Sequence, residues 1–341
     1  MRALLAEACA EGPISYRRYI GHVLYADGLG YYRRERARVG RAADRDFYTA
    51  ESLGPVFARL IAAAAVELLG AERAAASTFV EVGPEPDTGL FEQMAPPPFA
   101  DGRRIRPGDP LDPAGPCVVF ANEWLDALPF HRLVYRGGAW RERGVATDAR
   151  GNPREVLLPE WTPEVAAAAD RLPPEAAEGY QLDLPLAAEA ALGELADAPW
   201  HGLLLVLDYG RAWHRLLCDC PAGTARCYHR HRMDADLLDR PGEKDITCDI
   251  CWDPLESRLR GARFDPVTLE SQEAFLIKRG HRAAAAIVEG AGRGFSRECQ
   301  TLKELTHPAH MGRRFQALWA LREPADSPAN PNKGDFRAEK P

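Results

Sequence analysis

The sequence contains no run approaching the roughly 20 apolar residues that a bilayer-spanning helix requires, so no membrane span is expected. No secretory leader is expected either. MRALLAEACAEGPISY carries Glu7 and Glu11 and has no basic segment ahead of an uninterrupted apolar core. A cytoplasmic location is the resulting expectation, and the eight cysteines are then expected as thiols. Basic excess is lacking too: the net charge is −7 and the pI near 5.8. Neutralising phosphates needs the opposite sign, so nucleic-acid binding is not expected. The local runs Tyr31-Tyr32-Arg33-Arg34 and His229-Arg230-His231-Arg232 are mixed with or followed by acids and read as solvated faces.

Metal-site spacing is scarce. Cys218, Cys220, Cys227, His229, His231, Cys248 and Cys251 are the residue types of tetrahedral zinc ligation. Cys218 and Cys220 are only two apart, however, and the one CxxC, Cys248 to Cys251, falls in a stretch that reads as a strand (DITCDICW), whose alternate side chains face opposite ways. Buried thiols are expected there, and no metal.

What is present is a core. The 341 residues are 46% hydrophobic, enough for one large domain or two modest ones. The organising stretch is CVVFANEWLDALPFHRLVY, residues 117 to 135. Its apolar start suits a strand buried on both faces. It stops on Asn122 and Glu123, adds Asp126, and turns at Pro129. Polar groups at the carboxyl end of a buried strand lie where open α/β sheets bind ligands; the alternative is a cap with solvated acids.

In chain order, residues 2–10 and 14–24 read as short helices, and a helix is expected from about Leu53 to Leu69, capped by Thr49 or Ser52 with Glu51 near its positive end. Ser77 to Val82 is a core strand running into GPEPDTGLFEQ, the strand–glycine–helix layout of a nucleotide- or nucleoside-binding loop. The loop has only Gly83 and Gly89, and its acids would repel phosphate while suiting a ligand with a cationic centre and a ribose, such as S-adenosylmethionine. Residues 94–116 are dense in proline and glycine, so the second strand and its ribose-binding acid read as shortened away; Asp101 and Asp109 read as surface acids. A hairpin is expected over Arg132–Val145 with Gly137-Gly138 as its turn. One or two helices follow in 161–198, and a third core strand, Leu203–Leu207, ends on Asp208, Tyr209 and Gly210. The segment from TLESQEAF through AAAAIVEGA reads as one or two helices, then comes a helix and a final strand, and a polar, proline-rich tail of residues 325–341 expected to be disordered.

These landmarks recur in a recognisable order. ISYRRYIGHVLYADGLGYY, VEVGPEPDTGL, ANEWLDALPFHR, LLVLDYG, PGEKDITCDICWDPL and HPAHMGRRFQALWALR together resemble the MidA-like family of S-adenosylmethionine-dependent methyltransferases, whose mitochondrial members methylate an arginine of a respiratory complex I subunit. The resemblance implies an α/β class I methyltransferase fold: a doubly wound, mostly parallel, seven-stranded sheet. An N-terminal helical segment (1–75) would close over the site, and the methyltransferase domain (76–324) would carry insertions near 131–200 and 216–252. It also implies S-adenosyl-L-methionine as cofactor. The cofactor side would be Glu81, Gly83, Glu85, Asp87 and Gly89, under loops containing Gly30, Tyr31, Tyr32, Asp46 and Thr49. The catalytic side would be Asn122, Glu123 and Asp126, and the acceptor an arginine or other nitrogen of a protein substrate. A member that keeps the fold and acts as a non-enzymatic assembly factor is the alternative.

Overall fold

The computed structural model describes residues 1–34, 54–84, 89–229, 232–291 and 296–325. Its centre is a six-stranded sheet in the order Val267–Ser271, Gln316–Arg322, Trp200–Asp208, Gly115–Asn122, Thr78–Val82, Asp101–Ile105. The last four strands of that order are parallel; Gln316–Arg322 runs antiparallel to Trp200–Asp208, and Val267–Ser271 antiparallel to it in turn. The fold is therefore α/β, with six strands among the described residues where the resemblance implied seven.

The middle strand is apolar and buried from Cys117 to Ala121 because both of its faces are covered there. Val118 and Phe120 point to one side, with Phe79, Leu203 and Leu205, beneath the Pro55–Leu69, Gln272–Arg279 and Arg297–Thr306 helices. Val119 and Ala121 point to the other, with Val80, Val82 and Leu204, against the Leu186–Asp197 and Trp252–Gly261 helices. Phe120 stacks on Phe79 at a centroid distance of 5.8 Å.

Several expectations needed revision. Residues 94–116 do hold the second strand, Asp101–Ile105, in parallel register with Thr78–Val82. It escapes hydrophobic pattern reading because it is an edge: Arg103 and Arg104 face outward to pair with Asp112 and Glu92, and only Ile105 is buried. Ile14–Ser15 is a short strand on Ala139–Thr147, so the second helix begins at Tyr16, where the Ser15 hydroxyl accepts the Arg18 N–H. Residues 161–198 contain a strand, Gln181–Leu184, and Val267–Ser271 is a strand at the far edge of the main sheet. The DITCDICW stretch is two short strands, Asp245–Thr247 and Ile250–Cys251, in different sheets. The long N-terminal helix starts at Pro55 behind Gly54, whose φ of +73° suits glycine; Thr49, Glu51 and Ser52 lie outside the described residues, as does the tail from residue 326.

The hairpin is as expected, with Gly137 and Gly138 at φ +60° and +76° between His131–Arg136 and Ala139–Thr147. It is the centre of a second sheet that also takes Ile14–Ser15, Pro153–Leu157 and Gln181–Leu184. A third, three-stranded sheet centres on Arg226–His229. All eight cysteines are unbridged. Among the described residues no helix is long and apolar enough to cross a membrane.

Candidate functional site

Two neighbouring strands, Gly115–Asn122 and Trp200–Asp208, end together, with Asn122 opposite Leu207. The next residue, Glu123, still donates its N–H to the Leu207 carbonyl (2.9 Å) but has turned to φ +49°. A left-handed glutamate is uncommon and costs energy that the surroundings must supply. The supply is visible one strand over: the buried Asp208 carboxylate accepts the Leu125 N–H at 2.8 Å and the Asp126 N–H at 3.3 Å, clamping the turn that follows Glu123.

The acids thereby gathered differ in exposure. Glu123 is half-buried and accepts from the Asn122 amide at 3.2 Å. Asp126 is only 3% exposed, which corrects the expectation that it faces an acceptor alongside Glu123. Burial, then the neighbouring Asp208 and Glu123, pushes the Asp126 carboxyl well above the usual range. Burial raises Asp208 as well, against the lowering effect of its backbone N–H donors. The pair retains a proton at pH values where exposed acids are ionised. Asn122 Oδ1 is buried with no hydrogen-bond partner among the described residues, an acceptor at this end of the sheet.

On the adjacent strand, Glu81 points into the protein and both its oxygens accept the Leu90 N–H (3.0 and 2.9 Å), tying the loop's far end to the strand. Gly83 sits at φ +69°, where a Cβ would come within 2.7 Å of Trp124 Cδ1. At Gly89 a Cβ would collide with Arg104. Gly83 is thus demanded by its positive φ and by the Trp124 ring, whereas at Gly89, with φ −82°, only the ends of the Arg104 and Glu92 side chains would have to shift. Glu85 and Asp87, between them, lie outside the described residues.

Burial raises Glu81 from 4.5 to about 7, with the Leu90 N–H and Arg104 opposing the shift. Folded Glu81 therefore holds its proton more tightly than unfolded Glu81. Its contribution to stability is complete below about 4.5 and is lost as pH rises through about 7. We expect Glu81→Gln to flatten that decline in urea unfolding measured across this window; identical pH slopes in the two proteins would refute the assignment.

The N-terminal loop reaches the same region. Gly30 is held where a Cβ would strike the Leu24 carbonyl and Ala26 nitrogen at 2.6 Å, and Tyr31 is buried. The Tyr32 hydroxyl donates to Asp245 at 2.7 Å, and its ring stacks on Tyr25, whose hydroxyl donates to the Ala127 carbonyl at 3.0 Å. Asp46 and Thr49 lie outside the described residues.

Sequence reading missed the third contributor, the stretch from Asp245 to Ile250. The Cys248 N–H donates to the Asp126 carbonyl (3.1 Å) and the Ile250 N–H to the Tyr209 carbonyl (3.0 Å), stitching this segment across both strand ends. Asp249 accepts from Arg226 and Arg211, each at 2.6 Å. The signal was the pair of aspartates in DITCD, overshadowed by the cysteines flanking them. Those cysteines are dispersed: Cys227 and Cys248 pack in the N-terminal core, Cys251 beneath the second sheet, and Cys218 is exposed. Among the described residues no group of three or more His, Cys, Asp or Glu side chains could hold a metal.

Residues 103–267 match the family described as "Putative S-adenosyl-L-methionine-dependent methyltransferase". The chain is 26% identical over 217 residues to the mitochondrial protein arginine methyltransferase NDUFAF7 homolog of Drosophila melanogaster, covering 60% of this chain and 47% of that one. It is 27% identical over 140 residues to NDUFAF7 of Xenopus tropicalis, covering 40% and 30%. The matches thus span about half or less of these relatives. A crystal structure of a Burkholderia thailandensis protein bound to S-adenosyl-homocysteine superposes with a TM-score of 0.79 at 27% identity, covering 94% of this chain and 92% of that one. Family match, curated relatives and whole-chain structural likeness agree: the chain is similar to S-adenosyl-L-methionine-dependent methyltransferases, over residues 103–267 in sequence and over nearly its whole length in structure.

Proposed function

We propose that this protein transfers a methyl group from S-adenosyl-L-methionine to an arginine of a protein substrate, a respiratory complex I subunit being the candidate acceptor, and that it works in the cytoplasm. The observation that carries the reading is Glu123: a partly exposed carboxylate fixed at positive φ on the end of the middle strand, next to the Gly83 loop. The names of the two curated relatives, both protein arginine methyltransferases, support the choice of acceptor.

The residues present fit the cofactor. Among the described residues Asn122 Oδ1 is a buried acceptor without a donor, suited to an amino or hydroxyl group, and the Gly83 backbone leaves no room for any side chain against Trp124. Gly83, Gly89 and Asn122 would hold it, with Glu81 shaping the loop from behind. When bound, S-adenosyl-L-methionine supplies a methyl on a cationic sulfur that is already a good leaving group. The protein's task is then positioning, worth several orders of magnitude in rate. Glu123 would hold the acceptor guanidinium by charge-assisted hydrogen bonds and take up the proton its nitrogen loses as the N–C bond forms. The Asp208 carboxylate, buried beneath, holds the turn that follows Glu123 by accepting the Leu125 and Asp126 N–H groups.

Thermal unfolding with added S-adenosyl-L-methionine tests the cofactor half of the proposal. A ligand at 100 times its Kd that binds only the folded state stabilises it by about 2.7 kcal/mol, so a clear rise in Tm is expected. An unchanged Tm at millimolar ligand would favour the non-enzymatic assembly factor.

A further inference from the structure

Two arginines converge on one aromatic pair beside the proposed acceptor position. Tyr209 directly follows Asp208, and the Glu123 N–H is bonded to Leu207, so Tyr209 and Glu123 extend from the same paired strand ends. The Arg226 guanidinium lies over the Tyr209 ring at 5.1 Å, and that of Arg314 at 5.3 Å. Both donate to the Tyr228 hydroxyl, each at 3.1 Å. Their situations are otherwise unlike. Arg226 is half-buried and anchored by Asp249 and by the Thr224 carbonyl, so it belongs to the framework. Arg314 is exposed, and among the described residues it makes no ion pair; it donates to the Tyr228 hydroxyl and lies over the Tyr209 ring. It also shares one hydroxyl acceptor with another cation, an arrangement that Coulomb repulsion weakens.

We propose that Tyr209 and Tyr228, next to Glu123, form a guanidinium-binding subsite, and that Arg314 fills it as an internal stand-in until an acceptor arginine displaces it. The proposal rests on the arginine reading above and adds to it where the planar cation sits: over an aromatic face, with a hydroxyl acceptor at its edge and a carboxylate alongside. A planar, weakly hydrated guanidinium suits such a site better than a lysine ammonium. The Glu123 carboxylate acts on Tyr209 electrostatically and favours a cation there. The contact of Arg314 is weak enough to yield, because it is solvent-exposed and lacks a carboxylate partner among the described residues.

The test is calorimetric titration of the full chain with N-acetyl-arginine methylamide, which requires no turnover. An internal competitor lowers apparent affinity by the fraction of time the site is filled. Arg314→Ala, an exposed and structurally mild change, is therefore expected to bind the probe roughly tenfold more tightly than the parent. Adding Tyr209→Leu to that variant should weaken binding again by about tenfold, the loss of a partly desolvated cation–π contact. Tyr228→Phe in the Arg314→Ala background, which keeps the ring and removes only the acceptor oxygen, should weaken it as well and guards against misfolding of the leucine variant. The lysine analogue of the probe should bind more weakly to Arg314→Ala than the arginine form. Equal affinity of parent and Arg314→Ala, or a Tyr228→Phe variant that binds as tightly as its background, would overturn the subsite. Failure of methyl transfer with these binding results intact would instead strike only the catalytic reading.

Discussion

Glu123→Gln is expected to lower methyl transfer by at least ~100-fold, the scale of losing a positioned general base, while leaving the S-adenosyl-L-methionine-induced rise in Tm unchanged. Glutamine has the same shape, can accept from Asn122 as glutamate does, and faces the same cost at φ +49°. What disappears is the charge. A neutral amide cannot form charge-assisted bonds to a guanidinium, and it cannot take a proton from the acceptor nitrogen. Asp126, 3% exposed and with a raised carboxyl, cannot substitute for it. Rates measured by mass spectrometry on an arginine-containing acceptor, with ligand-dependent Tm measured in parallel, separate the two halves of the site. Parent-like turnover in the variant would remove Glu123 from the mechanism.

Gly83→Val is expected to do the reverse, abolishing the cofactor response before chemistry can be assessed. The position is at φ +69°, which costs an L-residue roughly 1–2 kcal/mol, more for a β-branched one. The new Cβ would lie 2.7 Å from Trp124 Cδ1 and so must push the indole aside. Trp124 is next in sequence to Glu123, so the disturbance reaches the acceptor side too. Circular dichroism should show the fold retained with a lowered Tm, and addition of ligand should not restore it. A full ligand-induced shift in Gly83→Val would show that the loop backbone is not where the cofactor binds.

These two positions were legible for different reasons. Val118 to Phe120 followed by Asn122 and Glu123 is a change from apolar to polar so abrupt that the strand end, and hence the ligand-binding edge of the sheet, could be read directly. Leu203–Leu207 ending on Asp208 repeated the pattern, and the Gly137-Gly138 hairpin announced itself by the demand for positive φ at both residues. The Asp101–Ile105 strand was invisible because an edge strand with outward arginines carries no apolar run.

Local chemistry along the chain determined the buried parallel strands, the turns that only glycine permits, and the family order of the blocks. Burial and long-range pairing decided the rest. The sequence presented Glu123 and Asp126 as equals three residues apart, and only the fold separates them, by covering Asp126 with the Cys248 segment and leaving Glu123 partly open. Likewise nothing local links Tyr209, Tyr228 and Arg314; they meet because the ends of different sheets converge. Exposure and charge environment arise from contacts between residues distant in sequence, and it is these that set which acids can act.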